Sequence, residues 1–472
     1  MRSLRLSAQT VQQLREELLQ DDDDERFAFL YAGEESDLLG SRVVTVPDEA
    51  MVEQSATACR PAPAVEREHV GDCYGAGLAP VLTHSHPFSS DPQFSGIDIE
   101  SMGRFREWLS GLYPDRSFGF AVVGTEGIEA VGDADGRLDA LEIEVVGEWK
   151  LETPVPGAVS RFVPSTGTDS TPGSASPVDD ERYDRNRRAF GREGQRRLAD
   201  ATVGIVGVGG LGSMVAEQLT RLGVKELVLI DPDIVEESNL SRLAGAYDHH
   251  VGKPKVTAIR EYLWKVGGDD ISIEAIREPI QKCSGSLDRC DIVVGCVDSV
   301  TARSFCNEYA VKHLTYYVDS GVRIDTTDDQ KVEMTGYVHL VAPGSNACFD
   351  CLGRHDQAAA RLEQFAPAEQ AAERERGYID DEELSPEPAV VHLNGQCASK
   401  TVSVLVDLVT GRGDPPDFIR YEDHAHEMTA LTTTPSDGCP TCGSEGILGV
   451  GRRSFGDAHF GPNEEPDPAI LD

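Results

Sequence analysis

The stretch Thr202-Val-Gly-Ile-Val-Gly-Val-Gly-Gly-Leu-Gly-Ser213 decides the fold of the second half of the chain. Its short apolar run predicts a buried strand, and the glycines after it predict a tight turn that opens a helix. Backbone N–H groups at such a helix start bind phosphate. We therefore predict a doubly wound α/β domain of Rossmann-like type, with cofactor-binding glycines at Gly207, Gly209, Gly210 and Gly212.

Further strands are predicted at Leu227–Ile230 and in the apolar run 291–297. Asp231 follows the first of them, 22 residues after Gly209, where a carboxylate can bind a ribose hydroxyl. A glycine turn does not distinguish ATP from NAD. On these residues alone, an NAD-dependent oxidoreductase is the default interpretation.

Two cationic residues that come later favour ATP. Arg242 ends the segment Glu237-Ser-Asn-Leu-Ser-Arg242, and Lys255 lies in Gly252-Lys-Pro-Lys255. Adenylyl transfer needs cations and a metal to offset the charge of a triphosphate, whereas hydride transfer does not. Asp298 follows an apolar strand and is therefore predicted to hold magnesium.

An arginine-rich segment, Arg182-Tyr-Asp-Arg185-Asn-Arg-Arg188, precedes the glycine turn, and a solvated helix face is its simpler interpretation. Taken in order from Arg182 to Cys442, these motifs resemble the ThiF/MoeB/HesA family, the bacterial and archaeal relatives of ubiquitin-activating enzymes. The resemblance implies that ATP reacts with the carboxyl-terminal glycine of a ubiquitin-like or sulfur-carrier protein. The products would be an acyl-adenylate and pyrophosphate.

The resemblance also implies roles for individual residues. Asp231 would bind ribose, Asp298 would bind magnesium, and Arg185 would act as an arginine finger donated by the second subunit of a homodimer. The phosphates would be bound by Asn239, Arg242 and Lys255. Leu243 departs from the family, in which Gln is usual after the arginine.

The eleven cysteines include two Cys-x-x-Cys pairs, Cys348/Cys351 and Cys439/Cys442. In a reducing compartment two such pairs predict a closed tetrahedral zinc site with a structural role. Relatives that pass the activated protein onward often carry a nucleophilic cysteine in the crossover region, yet residues 352–388 contain none. Cys397 is the nearest candidate nucleophile, and a cysteine packed in the core is the alternative.

The first half of the chain carries a second motif, Thr83-His84-Ser-His86-Pro87 followed by Ser95-Gly-Ile-Asp98. Residues i and i+2 of a strand leave on the same face, so both imidazoles can bind one zinc ion with Asp98 as third ligand. Three protein ligands leave a position for water, as in catalytic sites. Two simpler interpretations are a histidine pair of no consequence and a helix cap at Ser95.

Over residues 1–150 these motifs resemble the JAB/JAMM (MPN+) metalloprotease family, which hydrolyses peptide or isopeptide bonds at the carboxyl end of ubiquitin-like proteins. The resemblance implies catalytic zinc on His84, His86 and Asp98, with Ser95 stabilising the oxyanion. It also implies an upstream glutamate as general base, and Glu25 is the candidate. The acids at 22–24 compete with it, and Ala28 stands where glycine is common.

The amino-acid composition restricts the classes of function that the protein can have. The 472 residues include 82 acidic and 43 basic side chains, a net charge of -39. This balance argues against nucleic-acid binding, because phosphate contacts need clustered Lys and Arg. It favours a host that accumulates salt, in which self-repulsion is screened. The sequence has no apolar run of about 18 residues that would predict a membrane helix, and we expect a cytoplasmic protein.

Four segments are predicted. They are a metalloprotease-like domain at 1–150, a flexible linker rich in Pro, Ser, Thr and Gly at 151–181, a ThiF-type domain with structural zinc at 182–450, and an acidic tail at 451–472. Residues 358–388 are expected to form a charged excursion from the second domain.

The sequence predicts a fused enzyme that trims or deconjugates a ubiquitin-like protein and activates its exposed glycine. A rival hypothesis is activation of a sulfur carrier for thiamine, molybdopterin or tRNA thiolation without conjugation. A third is that one domain is an inactive binding module, which the intact candidate ligands argue against.

Overall fold

The computed structural model describes residues 3–114, 116–134, 137–159, 162, 181–326, 332–354, 363 and 389–451. Most of three predicted segments lies outside the described residues: the linker from residue 163 to 180, the excursion at 358–388 apart from Glu363, and the tail from residue 452. The described part forms two domains.

Seven strands of the first domain close into a barrel in the order β1-β3-β2-β6-β7-β8-β9, and β4 and β5 form a separate hairpin. The parallel pairing of β1 with β9 closes the ring. The elements are β1 (Ser3–Ser7), α1 (Ala8–Leu18), β2 (Phe27–Glu34), β3 (Leu38–Thr45), β4 (Met51–Ser55), β5 (Ala58–Pro61), α2 (Pro63–Gly75), β6 (Ala79–Ser85), α3 (Gly96–Leu112), β7 (Gly119–Val123), β8 (Ile128–Ala134) and β9 (Arg137–Val146).

Local signals set the element boundaries near the predicted metal site. Ser7 caps α1 because its hydroxyl accepts a hydrogen bond from the Thr10 amide. Ser95 caps α3 in the same way and shares a capping box with Asp98. The antiparallel register between β2 and β6 pairs Phe27 with His84. The end of β6 therefore lies beside the start of β2, and the 3.3 Å contact of His84 Nε2 with Asp98 Oδ1 brings the start of α3 to the same rim of the barrel.

The second domain contains one eight-stranded sheet in the order β12-β11-β10-β13-β14-β15-β16-β17. The five neighbouring strands β12, β11, β10, β13 and β14 are parallel. Strands β15, β16 and β17 continue the sheet in antiparallel pairing. The elements are α4 (Asp184–Asp200), β10 (Thr202–Val206), α5 (Gly210–Leu222), β11 (Glu226–Ile230), α6 (Lys255–Gly267), β12 (Ser272–Ile276), α7 (Ile280–Cys283), β13 (Ile292–Gly295), α8 (Val300–His313), β14 (Tyr316–Thr326), β15 (Val332–Val341), α9 (Val391–Thr410), β16 (Phe418–Glu422) and β17 (Glu427–Leu431).

This architecture confirms the mixed α/β prediction with a Rossmann-like second domain. The central parallel strands β10, β11 and β13 are almost wholly apolar and buried, as expected for a sheet covered on both faces. The order of the strands reverses between β10 and β13, and ligands of open α/β sheets bind at such a switch point. None of the helices in the described ranges has the length and apolar character needed to cross a membrane.

The two domains share a packed seam. Residues 447–451 follow the last cysteine pair and run between the two domains. We call this short segment the strap. The Gly449 amide donates to Val311 O at 3.0 Å in the second domain, and Gly449 O accepts from the Gly33 amide at 3.0 Å in the first. Leu448 is buried in the core of the second domain, and Val450 is buried in a core cluster of the first.

Charged side chains support the same seam. Lys150 Nζ lies 2.8 Å from Asp417 Oδ1, and Asp417 is almost fully buried. His313 Nδ1 lies 2.5 Å from Glu35 Oε1. Arg5 Nη1 donates to His313 O at 3.2 Å. Each of these contacts joins the first domain to the second.

The first residues of the predicted linker also pack against the protein. Val155 is buried, and Val159 forms a parallel bridge with Glu144 next to the barrel. Phe162 is buried and stacks on Tyr316 with 5.7 Å between ring centroids. Apolar residues within this Pro- and Ser-rich stretch, Val155 and Phe162, therefore reach a core.

Candidate functional sites

Two histidines and an aspartate meet at the rim of the first barrel. His84 Nε2 lies 3.3 Å from Asp98 Oδ1, and His86 Nε2 lies 3.5 Å from Asp98 Oδ2. One ligand atom from each of the three side chains lies within 4.8 Å of the other two. His84 Nε2 is buried without a hydrogen-bond partner among the described residues. Two imidazole nitrogens and one carboxylate therefore fit a zinc ion.

Glu25 is beside this cluster, although it belongs to an exposed acidic run in the sequence. Its side chain is only 4% exposed, and its Oε1 lies 3.6 Å from His86 Nε2. Burial raises the pKa of Glu25, and the charges of His84 and His86 act against that rise. The neighbouring Asp22 instead pairs with Arg26 at 2.7 Å. The structure thus brings Glu25, and not Asp22, to the three candidate ligands.

Asp98 and Ser95 fix each other at the start of α3. The Ser95 amide donates to Asp98 Oδ2 at 2.6 Å, and the Asp98 amide donates to Ser95 Oγ at 3.2 Å. The helix-cap interpretation is therefore confirmed, and it is compatible with metal binding because Asp98 still faces both imidazoles. Burial would raise the pKa of Asp98, but its interactions with the neighbouring imidazoles of His84 and His86 hold that pKa well below its usual range.

A cavity of about 600 Å³ opens beside these residues. Glu25, His84 and Asp98 form one part of its wall. The remainder is largely apolar and includes Phe27, Leu82, Met102, Phe105, Trp108 and Phe120. The cavity lies between the β4–β5 hairpin and α3, so a bound chain could pass between them to the candidate metal ligands.

The four cysteines of the second domain form a compact cluster. The Sγ atoms of Cys348 and Cys351 lie 3.8 Å apart, those of Cys348 and Cys439 lie 3.6 Å apart, and those of Cys351 and Cys442 lie 3.3 Å apart. These distances are too long for disulfides and close to the roughly 3.8 Å of a tetrahedral ZnS₄ centre with bonds of about 2.3 Å. The donor set therefore fits zinc.

The glycine turn of the second domain joins β10 to α5 as predicted. Gly207 has φ +87°, and a Cβ at this position would lie 2.6 Å from Cys296 O. Glycine is thus required both by the backbone conformation and by the close approach of β13. The turn lines a cavity of about 450 Å³ together with Asp231, Arg242, Lys255 and Asp298.

Two carboxylates and a lysine are fixed on one side of this cavity. Asp231 Oδ2 accepts a hydrogen bond from the Val208 amide at 2.9 Å, and its Oδ1 accepts one from the Asp233 amide at 2.9 Å. Lys255 Nζ lies 2.8 Å from Asp233 Oδ2. Burial raises the pKa of Asp231. Burial alone would lower the pKa of Lys255, but Asp231 and Asp233 raise it.

The predicted phosphate ligands do not all face the cavity. Arg242 lines it, and its Nη1 donates to Ser238 O at 2.9 Å. Asp298 lines it after β13. Asn239 is buried in a turn, where its Oδ1 accepts from the Glu236 amide at 3.1 Å, and it is not among the lining residues. Its side chain holds the turn that precedes Arg242.

Two further predicted residues lie away from the cavity. Arg185 is exposed on α4 and is not among the residues that line the cavity of its own chain. Cys397 is 5% exposed, and its Sγ donates to Tyr337 O at 3.2 Å. Burial raises the pKa of Cys397 to about 12. These features favour the packed-core alternative over a thioester nucleophile.

A buried charged cluster that no sequence motif predicts lies beside the cavity at the glycine turn. Asp319 in β14 is fully buried between Arg303 and Arg354, with Oδ1 2.6 Å from Arg303 Nη1 and Oδ2 3.1 Å from Arg354 Nη1. Burial would raise the pKa of Asp319, but both arginines lower it. Arg303 also donates to Val297 O, and Arg354 lies three residues after Cys351. The cluster links the cysteine cluster to the residue that precedes Asp298.

Known proteins resemble the second domain. The ThiF family model matches residues 183–441, more than half of the chain. Ubiquitin-like modifier-activating enzyme 5 of Caenorhabditis briggsae is 33% identical over 199 residues, which are 38% of this chain and 43% of that enzyme. The Xenopus laevis enzyme is 32% identical over 195 residues, which are 38% and 47% of the two chains. The chain spans less than half of the length of these relatives.

Among solved structures, E. coli MccB has a TM-score of 0.47 and 21% sequence identity, covering 57% of this chain and 74% of MccB. The family match begins at residue 183, so the resemblance of the first barrel to the JAB/JAMM family stays a prediction. For the second domain the matched range, the switch-point cavity and the glycine turn agree, and the chain belongs to the ThiF family.

Proposed function

We propose that the second domain uses ATP and magnesium to adenylate the carboxyl-terminal glycine of a ubiquitin-like or sulfur-carrier protein. One observation carries the proposal: the cavity at the switch point gathers the glycine turn, Asp231, Arg242, Lys255 and Asp298. The names of the relatives, which are ubiquitin-like modifier-activating enzymes, support the same assignment.

In this reaction an oxygen of the glycine carboxylate attacks the α-phosphorus, and the bond to pyrophosphate breaks. Arg242 and Lys255 offset charge on the phosphates as it shifts to the leaving group. Asp231 accepts hydrogen bonds from the ribose hydroxyls, in an orientation that its two backbone hydrogen bonds already fix. Asp298 would hold magnesium, which would supply positive charge to offset that of the phosphates.

We propose in addition that the chain forms a homodimer in which Arg185 of one subunit reaches the nucleotide cavity of the other. Its exposed position on α4, away from the cavity of its own chain, suits donation to the cavity of a partner. An arginine supplied in this way stabilises charge in the transition state of phosphoryl transfer. Mixing an Arg185→Gln chain with an Arg242→Gln chain tests this assignment, because complementation between inactive variants requires sites shared across two subunits.

ATP–pyrophosphate exchange with carrier proteins from the same genome tests adenylation. Arg242→Gln removes a charged donor from the cavity, so we expect exchange to fall about 10- to 100-fold. Arg221→Gln is the matched control, because Arg221 pairs with Glu217 on the exposed face of α5. Equal exchange by the two variants would contradict the site assignment, and a wild-type chain without exchange would remove the proposed activity.

We further propose that the first domain is a zinc-dependent isopeptidase or protease for the same class of protein. The observation that carries this proposal is the buried Glu25 next to His84, His86 and Asp98. Zinc at such a site would polarise the scissile carbonyl and lower the pKa of water. Glu25 would take a proton from that water and deliver it to the leaving amine. Ser95 still has a hydroxyl proton to donate to an oxyanion.

The second candidate function is sulfur transfer, in which the adenylate becomes a thiocarboxylate. Two observations favour it: residues 352–388 contain no cysteine, and Cys397 is buried. Mass spectrometry of the carrier after incubation with ATP distinguishes a thiocarboxylate from an isopeptide product. An isopeptide product would exclude the sulfur-transfer alternative.

The acidic composition adds a proposal about conditions. A net charge of -39 destabilises a compact chain by self-repulsion, and salt screens that repulsion. We expect the thermal unfolding midpoint and the exchange activity to rise as potassium chloride increases to molar concentration, as suits the cytoplasm of a salt-accumulating host. A maximum in dilute buffer would contradict this proposal.

A further inference from the structure

The candidate nucleotide cavity has a wall that no sequence motif predicts. Helix α9 begins at Val391 beside the cavity and packs against α5, the helix that the glycine turn opens. Asn394, in the first turn of α9, is 2% exposed and lines the cavity. A polar side chain from a different helix thus reaches the phosphate-binding turn.

The geometry at Gly210 shows how close this approach is. A Cβ built on Gly210 would lie 2.5 Å from Asn394 Nδ2 and 3.1 Å from Arg242 Cγ. The Asn394 amide and the Arg242 stem therefore both pack against the first residue of α5. A side chain at position 210 would displace them, so glycine here keeps an amide donor next to the helix start.

The Asn394 side chain has no hydrogen-bond partner within the part of the chain that the structure describes. Buried polar side chains normally have one. Cys397, one turn later on α9, illustrates the rule, because its thiol donates to a backbone carbonyl. A buried amide that lines a cavity beside a helix N-terminus and an arginine, and that no other described side chain or backbone group binds, is suited to bind an anionic oxygen.

We propose that Asn394 Nδ2 donates a hydrogen bond to a phosphate oxygen of the nucleotide bound at the glycine turn. The inference rests on the proposed function, because it requires ATP in this cavity. A neutral donor adds a directed hydrogen bond where Arg242 and Lys255 already supply positive charge. It therefore orients the phosphates without holding the pyrophosphate product more strongly through added charge.

Titration calorimetry with magnesium and either ATP or adenosine tests the assignment. Asn394→Leu keeps the volume and removes the donor, so we expect about 10-fold weaker ATP binding and unchanged adenosine binding. Asn394→Asp keeps the shape and adds a negative charge, so we expect a larger loss for ATP. Ser399→Ala, on an exposed position of the same helix, is the control and should bind both ligands as the wild type does.

The outcomes separate the two proposals. A wild-type chain that binds no ATP would overturn both. Wild-type affinity for ATP in Asn394→Leu and Asn394→Asp would overturn the role of Asn394 and leave adenylation intact. An equal loss for ATP and adenosine would also overturn it, because the substitution would then act on the whole cavity. Thermal unfolding of each variant shows whether it is folded, and the aspartate variant serves if the leucine variant is not.

Discussion

Two clusters of metal-binding side chains lie in the two domains, and they differ in the number of donor atoms and in their surroundings. His84, His86 and Asp98 offer three donors beside a cavity of about 600 Å³ that also contains Glu25. The cysteine cluster offers four thiol donors and lies against the core of the second domain. A filled tetrahedron leaves no position for a substrate, whereas three ligands leave one. The donor count thus predicts catalysis in one domain and structural support in the other.

Disruption of the four-cysteine cluster should have the largest effect. Structural zinc contributes on the order of 10 kcal/mol of apparent binding free energy in small domains, so Cys442→Ser should lower the unfolding midpoint strongly and reduce the zinc content from two ions to one per chain. Differential scanning calorimetry and elemental analysis measure these effects. Cys283→Ser is the control, because Cys283 lies outside the cluster. An unchanged midpoint would remove the structural role.

Glu25→Gln tests whether the three-ligand cluster of the first domain is catalytic. It removes the proposed base, so hydrolysis of a fusion to a small β-grasp protein should fall about 10²- to 10⁴-fold. Zinc content should not change, because Glu25 is not one of the three ligands, and the buried neutral amide should leave the unfolding midpoint close to that of the wild type. Asp22→Asn, three residues earlier, should cleave at the wild-type rate. Equal cleavage by both variants would exclude Glu25 as the base.

Gly33→Ala tests how far the two regions depend on each other, and its expected effect is the smallest. The added Cβ would lie 2.4 Å from Gly449 O and 2.7 Å from Val450 C, both backbone atoms of the strap. Overpacking of this kind costs about 1–3 kcal/mol. We expect faster hydrogen exchange at the Gly449 amide with both metal sites retained.

Gly71→Ala is the control for that experiment, because a Cβ on Gly71 in α2 meets no atom within 4 Å. Alanine should be neutral or slightly stabilising there, since glycine lowers helix stability. If the Gly449 amide exchanged its hydrogen at the wild-type rate in Gly33→Ala, the strap would not couple the domains.

Local patterns account for most of what the sequence predicted. The strand β10, the glycine turn and α5 follow one another in the single stretch from Thr202 to Leu222, and their bounds match closely. His84 and His86 converge because strand alternation fixes their directions. Glu25 was identified through a family resemblance, because its place in an acidic run gives no sign that it is buried.

Features that depend on distant segments were not predicted. Asp319 and Arg354 meet only because β14 and the cysteine cluster are brought together by the fold. Asn394 reaches Gly210 across a helix pair, and neither residue carries a local signal of that contact. Cys397 was a candidate nucleophile on its position in the sequence alone, yet it lies more than a full turn inside α9, where its thiol is buried.

The strap also has a consequence for the order of events during synthesis. Ribosomes add about 5–20 residues per second, so roughly 20–80 s separate the emergence of Gly33 from that of Gly449. For that interval β2 has to persist without the hydrogen bond that Gly449 O later accepts from the Gly33 amide. The contact between the barrel and the strap therefore cannot form before residue 449 has been synthesised, and a barrel that folds earlier does so with the Gly33 amide still open to water.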